Sequence, residues 1–173
     1  IQTFNLIPPA LCKKVIGVVD SGKLETHQWT KQDEDYTAFS FNDKEPKTTY
    51  ATDDLANEII PYVKQGYFDY INIFKPNIDL IKNLSAMRFN KYEKGSVMRA
   101  HYDHIHSVFD GKKRGIPVLS FILSFNEDYQ GGAVAFNLIT GRYILNLKAG
   151  DVVMFPSNFM YEHEVEPIIE GNR

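Results

Sequence analysis

In His101-Tyr102-Asp103, an imidazole and a carboxylate sit two residues apart. On an extended strand such residues share one face, so the two can bind a single cation together. A third donor, His163, lies far downstream on a separate predicted strand. Two imidazoles and one carboxylate make the facial set that holds non-haem Fe(II) and leaves positions open. A bidentate 2-oxo acid can take two of those positions and dioxygen the third. Tyr92 precedes His101 across a predicted hairpin, and Arg173 follows His163 where a last strand can carry its side chain inward. A planar, permanently charged guanidinium suits a carboxylate. Two bland readings stand beside this one. An H-x-D tripeptide is common by chance, and a strand histidine is often only a hydrogen-bonded polar group. His104 and His106 obey the same spacing on the opposite face, with Tyr102. They are a rival zinc or copper pair, or solvated loop histidines. Glu162 and Glu164 flank His163 and read as exterior charges.

The elements that must position these residues follow from patterning. The 173 residues and 19.9 kDa fit one domain, 1–173. Helical support is expected over about 1–84 and a strand-rich core over about 85–173. Pro8–Val19 carries Leu11, Val15 and Val18/Val19 on one stripe, and a second helix starts at Thr52 with Leu55, Ile59 and Val63 inward. Pro61 predicts a kink or break in that helix. After Ser85, Met87–Tyr92 and Val97–Asp103 flank Glu93-Lys94-Gly95-Ser96 and read as a hairpin. Further strands are expected at Val118–Phe125, Ala133–Phe136, Arg142–Leu147, Val152–Phe155 and around His163. Strands at this spacing predict a sandwich, barrel or jelly roll braced by the helices, an α+β fold.

Composition narrows the function classes. The net charge of −3 gives no electrostatic footprint for nucleic acid or an anionic membrane. No apolar run approaches the roughly 20 residues that span a bilayer. A single cysteine, Cys12, excludes an intrachain disulfide and a multi-thiolate zinc site. Ile1–Ala10 lacks the features of a signal peptide. The expectation is a soluble, cytoplasmic monomer.

Several motifs occur in order. They are Arg88-Phe89-Asn90-Lys91-Tyr92-Glu93-Lys94-Gly95 through His101-Tyr102-Asp103, then Asn126 to Gly132, then Ala149-Gly150-Asp151 through Phe155-Pro156-Ser157. His163-Glu164-Val165-Glu166-Pro167 and Gly171-Asn172-Arg173 complete the series. This series resembles the 2-oxoglutarate/Fe(II)-dependent dioxygenases, and within them the prolyl 4-hydroxylase catalytic domains. The resemblance covers roughly residues 85–173. It implies a double-stranded β-helix, a jelly-roll variant, with His101, Asp103 and His163 as iron ligands. It implies Arg173 on the distal carboxylate of 2-oxoglutarate, Tyr92 as a hydrogen-bond donor to that cosubstrate, and Ser120 as a small hydroxyl lining its pocket. The cofactors implied are Fe(II), 2-oxoglutarate and O2, with ascorbate as an auxiliary reductant.

Two departures from the family pattern are noted. Arg173 stands where the family commonly has Lys, and the family continues into a closing strand beyond this position. The implied reaction is hydroxylation of an unactivated C–H bond with decarboxylation of 2-oxoglutarate to succinate. The implied substrate is a prolyl residue in an extended peptide or protein. Tyr102, Arg114, Phe109 and Trp29 are substrate-contact candidates, and Ser107–Gly115 matches the loop that closes over peptide. A free amino acid or other small molecule is an alternative substrate. A non-catalytic jelly-roll binding module is the alternative class.

Overall fold

The computed structural model describes residues 1–30, 38–41, 44–75, 83–103 and 117–173. In chain order the elements are β1 (Gln2–Asn5), α1 (Pro9–Ser21), β2 (Glu25–Thr26), β3 (Trp29–Thr30), β4 (Ala38–Phe39), β5 (Lys47–Tyr50) and α2 (Asp53–Phe74). Then come β6 (Arg88–Lys91), β7 (Met98–His101), β8 (Leu119–Leu123), β9 (Gln130–Gly131), β10 (Val134–Leu138) and β11 (Gly141–Leu145). The chain ends with β12 (Asp151–Pro156), a 3-10 turn (Phe159–Tyr161), β13 (Glu162–Val165) and β14 (Ile168–Glu170).

Two antiparallel sheets form the body, one ordered β1-β12-β8 and the other β11-β10-β13-β7. Along the chain β7, β8, β10, β12 and β13 alternate between these sheets, the winding of a double-stranded β-helix. Strand β12 explains the packing. Its residues Val152-Val153-Met154-Phe155 are all buried, so both faces are covered. By the period-two rule, Val153 and Phe155 enter the core shared with Met98, Val134, Phe136 and Val165 of the second sheet. Val152 and Met154 point the other way, into a core made with Leu11, Cys12 and Val15 of α1 and Leu55, Ile59, Val63 and Tyr70 of α2. Each such aliphatic side chain contributes about 1.5–3 kcal/mol on full burial. Gly66 lets α2 approach β12 closely, because a Cβ there would stand 2.9 Å from Met154 Cε. Gly150, at φ +90°, turns the chain into β12, and its carbonyl accepts from the Leu6 and Ile7 amides.

Three expectations change. The predicted hairpin does not form. The Glu93–Ser96 turn exists, with Ser96 N donating to Glu93 O, but β6 pairs with β5 and β7 pairs with β13. Backbone groups of that turn are taken up elsewhere: Gly95 N donates to Ile168 O and Ile168 N to Ser96 O. The N-terminal part is more than helical support, since β1 completes the β12-β8 sheet and β2-β5 extends β6. Finally, α2 runs unbroken through Pro61, whose exposed ring faces away from the Ile59 and Val63 stripe that binds the helix to the core.

Candidate metal centre

Strand register builds the site. β13 lies between β10 and β7, with His163 directly opposite His101 on one side and Phe136 on the other. Opposed residues in an antiparallel pair share a face, and the two imidazole centroids are 4.4 Å apart. Asp103 lies two residues beyond the end of β7, its Oδ1 3.7 Å from His101 Nε2. Among the described residues, His101, Asp103 and His163 offer ligand atoms that all lie within 4.8 Å of one another.

Hydrogen bonding orients both rings. Arg99 O lies 2.7 Å from His101 Nδ1, and Tyr161 O lies 3.1 Å from His163 Nδ1. A carbonyl can only accept, so each Nδ1 carries the proton and each Nε2 lone pair is left for a metal. His163 is buried at the floor, against Phe155 at 4.8 Å and Phe136 at 5.5 Å between centroids. Burial, seconded by the His101 charge, lowers its pKa, which keeps it in the neutral form a metal requires. Asp103 stands exposed at the mouth.

The Asp103 carboxylate is itself held. Ser120 Oγ donates to Asp103 Oδ2 at 2.5 Å and lies 2.7 Å from the Oγ of Ser157, the residue after β12. The β8–β12 pairing sets this, with Ser120 opposite Phe155. Ser120→Ala is expected to weaken metal affinity about tenfold, the usual scale for losing a bond that orients a ligand. Ser120→Thr should retain most of it. Co(II) titration followed by absorbance measures both.

Tyr92 and Arg173 form a second cluster. Tyr92 N donates to Arg173 O at 2.7 Å and Arg173 N to Tyr92 O at 2.9 Å, fixing the two backbones side by side. The guanidinium carbon lies 5.3 Å from the Tyr92 ring centroid. Arg173 Nε is buried and finds no acceptor among the described residues. Native interiors rarely leave a buried donor unpaired, least of all a charged one. Desolvation raises the Tyr92 phenol's pKa, so it stays a protonated donor. The facial N,N,O set matches Fe(II), and the unpaired guanidinium N–H matches a carboxylate. The residues present therefore fit iron with a 2-oxo dicarboxylic acid.

The other candidates fall as follows. Glu164 pairs with Arg142 at 2.6 Å and Glu162 accepts from Asn137 Nδ2 at 3.0 Å, both as exterior charges. Tyr102 is exposed between His101 and Asp103. His104, His106, Phe109, Arg114 and the Ser107–Gly115 loop lie outside the described residues. Sequence reasoning marked Trp29 only as a substrate-contact candidate and missed that it borders a proposed metal ligand, with His27 behind it. Trp29 meets the His101 ring edge-on at 5.3 Å, and His27 meets Trp29 at 5.0 Å.

His27 carries a prediction of its own. Only 6% exposed, it has its pKa pulled from 6.5 down to about 4, first by burial and then by the Arg88 and His101 charges. Between those values the unfolded chain takes up a proton that the folded one refuses. Stability is therefore flat above pH 6.5 and falls as pH drops toward 4, by at most about 3 kcal/mol. Urea unfolding at pH 5 and pH 7 should show this loss in the parent protein. His27→Phe should reduce the difference.

The family model for the 2OG-Fe(II) oxygenase superfamily matches residues 87–173. A PKHD-type hydroxylase of Shewanella baltica strain OS155 is 35% identical over 86 residues, covering 49% of this chain and 38% of the relative. One from Synechococcus sp. strain CC9902 is 31% identical over 121 residues, 69% of this chain and 50% of that protein. The chain thus spans half the length of these curated relatives or less. Among solved structures, a Pseudomonas putida prolyl-4-hydroxylase superposes with a TM-score of 0.67 at 18% identity, over 99% of this chain and 86% of that one. A Trichoplax adhaerens prolyl hydroxylase, solved with a hypoxia inducible factor oxygen degradation domain peptide fragment, gives 0.71 at 15% identity, over 98% and 78%. At these identities the likeness shows the fold, a jelly roll shared with these hydroxylases.

Proposed function

Because this chain belongs to the 2OG-Fe(II) oxygenase superfamily, we propose that it carries the catalytic domain of a dioxygenase that hydroxylates a prolyl residue in a peptide or protein. The observation that carries this reading is the convergence of His101, Asp103 and His163 ligand atoms within 4.8 Å, from strands distant in sequence. Fe(II) bound there with 2-oxoglutarate and O2 would supply oxidative decarboxylation to succinate and CO2, coupled to insertion of oxygen into a C–H bond.

The protein's own groups do the rest. His101 and His163 present neutral Nε2 atoms, because carbonyls hold their Nδ1 protons. Asp103 brings the one negative charge, steadied by the Ser120 hydroxyl. Arg173 receives the distal carboxylate of 2-oxoglutarate, and the Tyr92 phenol donates to the same molecule. Phe136 and Phe155 keep water from the floor beneath His163.

For the substrate, support comes from exposed side chains on the segments that carry or touch the site residues, and from the relatives. Tyr102 lies beside the triad, Phe159 and Met160 precede β13, and Phe41 meets Trp29; all four are exposed. Such rings and a flexible thioether can receive an extended, preformed polyproline-II segment at low entropic cost. The relatives are described as PKHD-type hydroxylases and the structural neighbours as prolyl hydroxylases. Among the described residues no helix is long and apolar enough to cross a membrane. The reading is completed by residues 1–173 acting as one domain, a monomer in the cytoplasm that binds no nucleic acid, with ascorbate sustaining turnover.

The test is succinate release with Fe(II) and 2-oxoglutarate. A proline-rich peptide should stimulate it, whereas free proline and an oligonucleotide should not. Stimulation by a free amino acid alone would replace the peptide reading with a small-molecule one.

A further inference from the structure

The metal centre draws on the part of the chain that precedes the family match. Trp29, the single tryptophan, meets the His101 ring at 5.3 Å between centroids and 80° between planes. Its Nε1 donates to Glu45 Oε1 at 3.0 Å. His27 packs edge-on against the same indole at 5.0 Å, and Phe41 at 5.9 Å. Glu45 is 2% exposed, and its other oxygen has no partner among the described residues.

A buried carboxylate with half its accepting capacity unused is a costly choice, and an apolar side chain of similar volume would pack there without that cost. What the carboxylate adds is direction: a charge-assisted acceptor that pins the indole N–H. The pinned indole then limits the tilt of His101. The hydrogen bond from His101 Nδ1 to Arg99 O fixes one edge of the imidazole but leaves rotation about that bond. A perpendicular ring against it removes the remaining freedom. Together the two constraints aim Nε2 at the point shared with His163 and Asp103.

We propose that Glu45 and Trp29 act as a positioning pair that holds His101 in its metal-binding orientation. Neither touches the metal; both act through the histidine. This rests on the reading of His101, Asp103 and His163 as metal ligands.

Co(II), which is insensitive to oxygen on the bench timescale, is the probe. Its affinity is read from its visible absorption in the parent protein and in Glu45→Ala, Glu45→Gln, Trp29→Leu and His101→Ala, with thermal unfolding of each metal-free protein alongside. Trp29 fluorescence quenching by Co(II) is read in the Glu45 variants. Glu45→Ala and Trp29→Leu should each bind Co(II) about tenfold more weakly, and Glu45→Ala should lose most of the quenching. Glu45→Gln, whose amide oxygen accepts the same N–H, should recover parent affinity within about twofold. A folded Glu45→Ala and a folded Trp29→Leu that bind Co(II) like the parent would overturn the pair. So would a Glu45→Gln protein as weak as Glu45→Ala at equal thermal stability. If Glu45→Ala does not fold, Trp29→Leu and Glu45→Gln decide the matter. If the parent binds no Co(II), or His101→Ala binds it equally well, the triad reading itself fails and the positioning role falls with it.

Discussion

Asp103→Ala should lower metal affinity by at least about 100-fold while leaving the metal-free fold within about 0.5 kcal/mol of the parent. The two halves of that expectation have separate causes. Asp103 provides the only negative charge among the three converging groups, so its loss removes both a donor and the charge that offsets a divalent cation. Its side chain is exposed just beyond the end of β7 and is held by the Ser120 hydroxyl rather than by burial. His163 offers no such separation. It is 4% exposed and stacked among Phe136 and Phe155, so its truncation should cost stability as well as metal. Co(II) titration beside urea unfolding distinguishes the two variants. An Asp103→Ala protein that retains parent affinity would place the metal elsewhere.

Arg173→Met should raise the KM for 2-oxoglutarate by about 100-fold or more and leave Co(II) affinity unchanged. Removing one partner of a buried, hydrogen-bonded charge pair costs about 3–5 kcal/mol, and 1.36 kcal/mol is a factor of ten. Methionine keeps the length of the stem and removes the fork. The backbone bonds that tie residue 173 to Tyr92 do not involve the side chain, so the local structure should persist. Lysine restores the charge without bidentate geometry and should fall between the two. Anaerobic titration of the metal-loaded protein with 2-oxoglutarate gives the binding constant free of turnover. An unchanged constant in Arg173→Met would remove the guanidinium from cosubstrate binding.

Some of this was legible in the sequence for identifiable reasons. His101 and Asp103 are two apart in sequence, so the local spacing rule sufficed to bring them together even though β7 ends at His101. The apolar Val152–Phe155 segment was expected as a strand, and it lies between the helices and the second sheet. The stripe of Leu55, Ile59 and Val63 gave α2 its inward face, and that packing outweighed Pro61.

What escaped depended on long-range pairing. The turn at Glu93–Ser96 has local hairpin chemistry, but β5 and β13 compete for its two strands, and no local signal reports a competitor. Glu45 sits just before β5 with neither periodicity nor motif to mark it, and Trp29, on a two-residue strand, was marked only as an aromatic that could meet substrate. Their connection to His101 exists only once β7 and the N-terminal segments are folded against each other. Ser120 was expected as a small hydroxyl lining the cosubstrate pocket, and only the β8–β12 register shows that it reaches Asp103.

The most direct test of the triad is optical. Fe(II) and 2-oxoglutarate, added together without oxygen, should give the parent protein the weak visible charge-transfer band of an iron-chelated 2-oxo acid, and His101→Ala should remove it. A colourless parent protein, or a band of equal strength in His101→Ala, would contradict the account and direct attention to His104 and His106.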